Sequence, residues 1–413
     1  MTAPRLESQR LPLGGSERYL RLGQDSDAIS ATLDKVLESD RLVDGEYPIY
    51  GASGSGAYVT DVDGNRFLDF LCAYGTIILG HAHPAVDDAA IAEIRKGFAV
   101  SMYKPLQVEL TRRLVELVPG ADLAVLLKSG SDATGAAVRI CRAYTGHDVI
   151  LRWGYNGWHD WCAVKRKGIP TDVSLRTDTF DYGSLESLEA AFRRHPGNVA
   201  AIVMMPFVTN PPSAEFLQSA QDMAHRNGAL FVLDEIRSGF RVSLGGAQEL
   251  LGVSADLVTV GKAMANGYAI SALLGRRDVM QTFGDVHISS TFYANGLAMA
   301  ASLATLDVLE HTPALKNVAE LGTRLLDGLR AITAEYRLAA EVCGLPQMPY
   351  LTLTGPGAGA AQRVFFTETI RRGVLFHPNH HWYVNAAMTT EDIDFALAAS
   401  REAAGAVRAL TDD

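Results

Sequence analysis

The chain has 413 residues, of which 48% are hydrophobic and 20% are charged, and its formal net charge is −10. This length and composition provide for a large core divided into roughly two or three lobes. Acidic and basic residues are mixed along the chain and form no polybasic run. The charge pattern therefore argues against a protein that binds nucleic acid or anionic membranes. Because the sequence has neither a signal-peptide core nor a long apolar segment, we expect a cytoplasmic protein.

The spacing of cysteines and histidines indicates neither a disulfide framework nor a metal centre. The four cysteines are scattered without a CxxC or Cys/His pattern. They are Cys72, Cys141, Cys162 and Cys343. His81 and His83 lie close together in GTIILGHAHPAV, but two ligands are too few for a metal site. We therefore expect reduced, buried cysteines and no bound metal.

Residues 1–75 predict an N-terminal segment with a helix and a small sheet. A helical stretch is expected from Asp27 to Ser39, and strand-like sequence punctuated by glycine follows it. The DVDG tetrapeptide lies between two alternating apolar runs, which is typical of a β-hairpin.

Residues 76–311 predict a large α/β domain. Short apolar runs alternate here with helical patterns, and the runs are AVLLKSG, VILRWG, VAAIVMMPF, ALFVLDEI, LVTVGK and ISALLG. This alternation is typical of βα units and of a mainly parallel sheet that helices cover on both faces.

Residues 312–413 predict an α+β domain. An amphipathic helix is expected at Ala314–Tyr336 and a closing helix at Thr390–Leu410. Between them we expect short strands in YLTLTG, GVLFHP and WYVNAA. No flexible linker separates this part from the rest of the chain.

A buried strand, ALFVLDEI, ends in Asp234 and Glu235. In an open parallel sheet, ligands bind beyond the carboxyl ends of the strands. A carboxylate at such a place is costly to bury unless a positive group pairs with it. Asp234 would suit a protonated pyridine nitrogen, and the alternative is a carboxylate that caps a helix or a turn.

A second apolar strand, LVTVGK, ends in Lys262, and 262 − 234 = 28 residues separate it from Asp234. That gap fits one helical connection between neighbouring strands. A partly desolvated lysine has a lowered pKa, and its free amine can form an imine. The alternative is a surface lysine with a buried stem.

The segment LLKSGSDATG predicts a strand, a turn at Ser129-Gly130-Ser131 and a helix from about Asp132. Small residues and free amides at a helix start can bind a phosphate, and the alternative is an ordinary serine cap. Neither GxxxxGK[ST] nor GxGxxG is present, so a nucleotide or nicotinamide site is disfavoured.

An aromatic segment, RWGYNGWHDW, directly follows the strand VILRWG. Tyr155 in this segment could stack on a planar ring, with Trp158 and His159 nearby. The alternative is an aromatic cluster that packs in the core.

The order and spacing of these motifs resemble the class III aminotransferases of pyridoxal 5'-phosphate (PLP) fold type I, most closely the branch of glutamate-1-semialdehyde aminomutase. The most specific match is DEIRSGFRVSLGGAQELLGVSADLVTVGKAMANG. The resemblance implies an α/β fold with a mainly parallel central sheet flanked by helices. It also implies a smaller α+β lobe built from both chain ends.

The resemblance further implies roles for five residues. Lys262 would form the Schiff base with PLP and then move a proton, and Asp234 would pair with the pyridine nitrogen. Gly130 and Ser131 would bind the phosphate, while Tyr155 would cover the ring.

Three further residues complete the site that the resemblance implies. Asn210 would lie near the phenolic oxygen of PLP, and Thr291 would reach the phosphate in the neighbouring subunit of a homodimer. Arg18, in LGGSERYLRL, would clamp a substrate carboxylate, with Arg21 as the alternative.

The chain departs from the family pattern in three places. Tyr155-Asn156-Gly157 stands for Tyr-His-Gly, and Met205-Pro206 stands for Glu-Pro. The loop after Thr291 lacks the glycine-rich gating sequence of the aminomutases.

We therefore predict a ping-pong aminotransferase that uses PLP, an amino-acid-like donor and a keto or aldehyde acceptor. An intramolecular aminomutase or an amino-acid epimerase is one alternative. A non-catalytic subunit that binds or regulates through the same fold is another.

Overall fold

The computed structural model describes residues 9–32, 43, 45–293 and 295–412, and the chain forms two compact units. One unit contains the described residues up to His83 and those from Lys316 onward, so both chain ends contribute to it. The other contains Pro84–Leu315, where the sequence suggested a domain of residues 76–311. No helix in the described ranges is long and apolar enough to cross a bilayer.

The strands of the described chain are numbered in chain order. They are β1 (Gly51–Ser55), β2 (Tyr58–Asp61), β3 (Arg66–Asp69), β4 (Leu123–Leu127), β5 (Val149–Trp153), β6 (Thr177–Thr179), β7 (Val199–Met204), β8 (Leu230–Asp234), β9 (Leu257–Val260), β10 (Ser271–Gly275), β11 (Ala340–Leu345), β12 (Met348–Leu353) and β13 (Val374–Leu375).

The right-handed helices are numbered in the same way. They are α1 (Gly14–Gly23), α2 (Ala28–Ala31), α3 (Pro84–Arg95), α4 (Pro105–Leu117), α5 (Gly130–Thr145), α6 (Thr171–Ser174), α7 (Leu185–Arg194), α8 (Ala214–Arg226), α9 (Gly246–Leu251), α10 (Arg277–Met280), α11 (Gly296–His311), α12 (Ala314–Glu335), α13 (Ala358–Arg371) and α14 (Thr390–Asp412), with 3₁₀ turns at Lys262–Ala265 and Gln281–Asp285.

The larger unit is built on one sheet of order β4-β10-β9-β8-β7-β5-β6. Its neighbouring strands are parallel except β10, which runs antiparallel to β4 and β9. Every residue of β7, β8 and β9 is buried, because helical connections cover both faces of such a sheet. The predicted mainly parallel α/β sheet is confirmed.

The smaller unit contains a sheet of order β1-β2-β3-β13 and the hairpin β11-β12. Strands β2 and β3 are antiparallel and are joined across the DVDG turn, as predicted. The carboxylate of Asp61 closes this turn by accepting bonds from the backbone N–H groups of Asp63 and Asn65.

The strand predicted in WYVNAA is wrong. Trp382, Tyr383 and Val384 are fully buried but belong to no strand. The N–H groups of Trp382 and Val384 donate to the carbonyls of Pro349 and Gln347 in the β11-β12 hairpin, and that of Tyr383 donates to the carbonyl of Phe70 in a second segment. These few bonds do not extend into a ladder along either neighbour. Burial therefore explains the apolar run, and its backbone is an irregular crossing segment.

The predicted helices agree in place with the observed ones and differ at their ends. Helix α12 ends one residue before Tyr336, and α14 runs on past Leu410 to Asp412. Helix α5 starts at Gly130 rather than about Asp132. Of the predicted stretch from Asp27 to Ser39, the structure describes only α2, which Asp27 caps, and residues 33–42 lie outside the described part.

A left-handed turn follows β3. Cys72, Ala73 and Tyr74 have φ angles of 48°, 47° and 58°, where each non-glycine residue costs about 1–2 kcal/mol. The next residue is Gly75, at which a Cβ atom would lie 2.7 Å from the ring of Tyr383. The carboxylate of Asp69 accepts bonds from the N–H groups that open the turn. The packing of the smaller unit therefore enforces this strained conformation.

We predict that Ala73→Gly stabilises the protein by about 0.5–1 kcal/mol, because glycine tolerates the left-handed conformation and Ala73 is exposed. The midpoint of urea unfolding should rise. The matched control is Ala319→Gly in the right-handed helix α12, which should lower the midpoint by the equivalent of about 1 kcal/mol. A fall in both variants would contradict the strain at Ala73.

Candidate active site

Asp234 is the last residue of β8, and its carboxylate is buried. It accepts hydrogen bonds from Asn156 Nδ2 at 2.9 Å, from the N–H of Ile236 at 3.2 Å and from Thr259 Oγ1 at 3.2 Å. Burial raises the pKa of Asp234, and these bonds and the nearby charge of Lys262 oppose that rise. The carboxylate thus lies in a pocket that still favours a further positive partner.

Glu235, the second acid of the pair, has a structural role. It is buried, and it accepts bonds from the N–H groups of Ala247 and Gln248 at the start of α9 and from Ser238 Oγ. Burial raises its pKa to about 7. A Cβ atom at Gly246 would lie 2.4 Å from its carboxylate. Of the two acids, Glu235 is the helix cap and Asp234 is the available one.

Lys262 follows β9, the strand that pairs in parallel with β8. Because the carboxyl ends of parallel neighbours share one edge, Lys262 lies close enough to Asp234 for their charges to interact. Burial and, next, the charge of Arg237 lower the pKa of Lys262 to about 8. Its φ is 44°, a strained value of the kind that clusters at functional sites.

The turn before α5 contains a helix cap and a close contact with the loop that follows β5. Ser129 caps the helix reciprocally with Asp132, so the predicted serine cap is present. Ser131 is buried, and its Oγ accepts a bond from the N–H of Trp158 at 3.3 Å. A Cβ atom at Gly157 would lie 2.5 Å from that Oγ. The start of α5 and the loop after β5 are therefore in direct contact.

The contact between Ser131 and Gly157 lies at the same edge of the sheet as Asp234 and Lys262. A Cβ atom at Gly130 would lie 3.0 Å from Ile236, whose N–H binds Asp234. Asn156 and Gly157 are adjacent in the chain and contact Asp234 and Ser131 respectively. A helix N-terminus, a buried carboxylate and an amine of lowered pKa thus converge within the larger unit.

The other predicted site residues are more exposed. Tyr155 is 64% exposed, and its backbone N–H points to Met205 Sδ at 3.3 Å. Asn210 and Thr291 are exposed in loops, and Arg18 is exposed on α1 in the smaller unit. The alternative residue Arg21 pairs loosely with Glu17 at 3.8 Å.

Sequence reasoning missed three residues that contact or flank the charged pair. Asn156 and Thr259 hold the carboxylate of Asp234. Arg237 lowers the pKa of Lys262 and donates to the carbonyls of Phe207 and Val208. Asn156 had a signal, since it replaces a family histidine. Thr259 lies opposite Asp234 in the register of β9 against β8, and no sequence signal marked it.

Comparison with known proteins identifies the family. The model of Aminotransferase class-III matches residues 44–153 and 169–399. The chain belongs to the class III aminotransferases.

Individual proteins agree with this assignment. The 3-aminobutyryl-CoA aminotransferase of Cloacimonas acidaminovorans (strain Evry) is 41% identical over 89% of this chain and 92% of its own. The glutamate-1-semialdehyde 2,1-aminomutase of Syntrophobacter fumaroxidans is 33% identical over 92% of this chain and 96% of its own. The PLP internal aldimine form of the FumI protein of Sphingopyxis sp. MTA144 has a TM-score of 0.91, at 31% identity over 97% of both chains.

The chain is a PLP-dependent aminotransferase of fold type I, as the sequence predicted. The aminotransferase relative is more similar than the aminomutase, at 41% against 33% identity, which favours the main prediction over that alternative. The predicted smaller lobe from both chain ends is also confirmed.

The residues present fit PLP. The cofactor has a ring nitrogen, an aldehyde and a phosphate to be bound. Asp234 is a buried carboxylate that favours a positive partner, and Lys262 is an amine of lowered pKa. Gly130 and Ser131 begin a helix of sixteen residues, and the backbone of Gly157 packs directly against Ser131. Each part of the cofactor therefore has a chemically matched partner along one edge of the sheet.

We predict that Lys262 in the protein freed of PLP reacts as an amine with a pKa of about 8. Labelling by trinitrobenzenesulfonate, followed by peptide mass spectrometry, should become half-maximal near that pH, whereas a lysine in a model peptide has a pKa of about 10.4. Arg237→Gln should move the Lys262 midpoint upward, because it removes a positive neighbour. An unchanged midpoint in that variant, or one near the model peptide's, would contradict the assigned environment.

Proposed function

We propose that Lys262 carries PLP as a Schiff base and that Asp234 pairs with the pyridine nitrogen. Gly130 and Ser131 hold the phosphate through the N–H groups of the first turn of α5 and the Ser131 hydroxyl. The observation that carries the proposal is the juxtaposition of a buried carboxylate and an amine of lowered pKa at the ends of β8 and β9.

Lys262 acts as the proton carrier in this proposal. Bound PLP withdraws electrons from the carbon that bears the amino group. Once a donor's amino group has taken the place of Nζ, the amine of Lys262 would be free to take a proton from this carbon. A pKa of about 8 keeps a useful fraction of the amine neutral near physiological pH. Addition of water would then release the donor as a carbonyl compound and leave its amino group in the site, and a carbonyl acceptor would take up that amino group and release water in a second half-reaction.

Other residues orient and cover the cofactor. Asn156 and Thr259 fix the two oxygens of Asp234, so the carboxylate cannot rotate away from its partner. We assign Tyr155 to the face of the ring and Asn210 to the phenolic oxygen. The proximity of Tyr155 to the charge of Asp234 supports its placement at the ring.

For the substrate, we propose a small amino acid or acyl derivative with its amino group on the third carbon. The name of the relative at 41% identity, a 3-aminobutyryl-CoA aminotransferase, supports this class. Arg18 is the proposed clamp for a donor's carboxylate, and its exposed guanidinium on α1 leaves its donors accessible.

The function is tested by a single turnover without acceptor. The purified protein should be yellow, and 3-aminobutyrate or its CoA thioester should bleach it while about one carbonyl product per subunit is released. Lys262→Ala should lose the colour change and at least about a thousandfold in rate, because the Schiff base and the proton carrier go together. Lys128→Ala is a matched control, since Lys128 also follows a strand end and is partly buried.

Two outcomes separate the alternatives. An aminomutase or an epimerase would convert its substrate without releasing a carbonyl product. A non-catalytic subunit would neither bleach nor turn over. Full turnover by Lys262→Ala would overturn the proposed role of Lys262.

We also propose a homodimer with shared sites and a cytoplasmic location. Exposed apolar side chains on α3, on α4 and between them support an association surface. They are Ile91, Ile94, Val100, Met102, Tyr103 and Val108. The four cysteines are buried and form no disulfide bond with one another, which supports a reducing compartment.

The shared site is tested by mixing two inactive parents. Thr291 is proposed to reach the phosphate in the partner subunit, so Thr291→Ala should bind PLP weakly. A hybrid of Lys262→Ala with Thr291→Ala should regain one normal site, in which an intact Lys262 meets an intact Thr291 from its partner. Up to about half of the wild-type activity per hybrid dimer is expected from this geometry. No recovery in purified hybrids would place Thr291 in its own subunit's site.

A further inference from the structure

The larger unit contains a cavity that the proposed function does not use. It lies beside α5, and its volume is about 560 Å³, a size typical of sites for small organic molecules. Its walls come from α5, from the loop after β5, from α6 and from the segment that precedes α11. All of these elements belong to the larger unit, so the cavity is defined within one body of the chain.

Two guanidinium groups line this cavity. Arg139 and Arg142 are three residues apart on α5, so their side chains are neighbours on the helix surface. Nη1 of Arg139 donates to the carbonyl of His287 at 2.6 Å, and Nε of Arg142 donates to the carbonyl of Asp148 at 2.8 Å. Carbonyl groups thus orient both side chains, and within the described part of the chain no carboxylate forms an ion pair with either. Both guanidinium groups therefore remain available to a bound anion.

The two cations fit a phosphate group. A guanidinium presents its N–H donors as a planar fork that matches phosphate oxygens, and a phosphate monoester carries about two negative charges at neutral pH. Burial lowers the pKa of Arg142, and the charge of Asp148 opposes this effect. A bound phosphate would stabilise the charged form of this partly buried guanidinium. The glycine-rich loops that the sequence lacks are not needed here, because side chains supply the donors.

Ring-bearing side chains form another part of the wall. A Cβ atom at Gly135 would lie 2.9 Å from Nδ1 of His159, so glycine lets this imidazole lie directly against α5. Glycine inside a helix costs about 1 kcal/mol relative to alanine, and the contact with His159 gives this glycine a packing reason. Tyr293 and the buried Trp161 add two more rings to the wall. Such a wall suits a planar, partly apolar group.

Two carboxylates also line the cavity, and they differ in availability. The carboxylate of Asp132 accepts bonds from the N–H and the hydroxyl of Ser129 at the start of α5. The side chain of Asp160 is exposed and makes no hydrogen bond or ion pair with the described residues. It can therefore accept a bond from an amino group on the planar part of a ligand. The lining as a whole matches a phosphate joined to an amino-bearing ring.

One end of the cavity adjoins the turn that is assigned to the cofactor phosphate. Asp132 directly follows Ser131, and His159 is two residues beyond Gly157, whose backbone packs against Ser131. Arg139 lies 139 − 131 = 8 residues beyond Ser131, which is about 12 Å along a helix axis. The cavity thus extends from the proposed cofactor site along α5.

We propose that this cavity binds an adenine nucleotide, with Arg139 and Arg142 on its phosphate and the rings of His159 and Tyr293 beside its base. The nucleotide is either the coenzyme A end of an acyl thioester donor or a free nucleotide that binds independently of turnover. The first source rests on the proposed function, in which the name of a 3-aminobutyryl-CoA aminotransferase relative supports an acyl derivative as substrate. The course of the cavity along α5 suits a donor whose thioester lies at the cofactor while its nucleotide lies at Arg139.

The site is tested with variants of Arg139 and ligands that differ in one feature. Arg139→Gln removes the charge, and Arg139→Lys keeps the charge without the planar fork. Arg193→Gln is the control, since Arg193 is an exposed arginine on α7 outside the cavity. Calorimetry on the PLP-loaded protein measures binding of adenosine 3',5'-bisphosphate, which corresponds to the nucleotide end of coenzyme A. KM and kcat are measured for 3-aminobutyryl-CoA and for its N-acetylcysteamine analogue, a thioester without the nucleotide.

We expect Arg139→Gln to weaken binding of the bisphosphate and to raise KM for 3-aminobutyryl-CoA by about tenfold or more, the scale of one hydrogen bond between charged groups. The kcat for both thioesters and the KM for the analogue should hold, and Arg139→Lys should restore part of the loss. Weakened bisphosphate binding with an unchanged KM for 3-aminobutyryl-CoA supports the site and assigns it to a free nucleotide.

Bisphosphate binding that does not depend on Arg139, or that the wild-type protein lacks, would overturn the site. Equal effects of Arg139→Gln on both thioesters would overturn it as well, since they indicate a structural role only. Equal losses in Arg193→Gln would do the same, because they indicate a general effect of net charge. If neither thioester is turned over but bisphosphate binding still depends on Arg139, the proposed function fails and the site stands.

Discussion

The parallel pairing of β8 with β9 is the constraint on which the rest of the site depends. It places the carboxyl ends of both strands at one edge of the sheet, so that Asp234 and Lys262 meet although 28 residues separate them. Burial then moves both groups away from their charged forms, raising the pKa of the acid and lowering that of the amine. This desolvation costs stability, but it makes the pair chemically useful. The buried carboxylate of Asp234 favours binding of a positively charged group, and the amine of Lys262 is partly neutral.

Much of this arrangement could be predicted from the sequence because each signal had a local physical cause. A fully apolar strand that ends in a carboxylate or a lysine is unusual, and such strands marked Asp234 and Lys262. Small residues before a helix marked Ser131. The order of these motifs along an alternating βα pattern placed them on one edge, since parallel strands present their carboxyl ends together.

The parts that were not predicted depend on tertiary contacts. The run around Trp382 is as apolar as a strand, but its N–H groups donate to two separate segments and form a ladder with neither, and no local pattern distinguishes the two cases. The left-handed turn at Ala73 is enforced by Asp69 and by the ring of Tyr383, which is distant in sequence. Residue pattern alone could not separate the roles of Asp234 and Glu235; the family resemblance selected Asp234, and the fold shows that Glu235 caps α9.

Asn156 illustrates how a departure from the family pattern can preserve the underlying physics. An imidazole at this position would itself titrate and could lose or gain a charge beside Asp234. The amide of Asn156 cannot titrate, and its Nδ2 donates to Asp234 Oδ2 at every pH. Its Oδ1 is buried without a donor among the described residues, so the replacement has a cost. The chain thus holds its key carboxylate with fixed dipoles from Asn156, Thr259 and the backbone of Ile236. The ionisation of Asp234 then follows from burial, from Lys262 and from the group that it binds, and not from the protonation of a neighbouring ring.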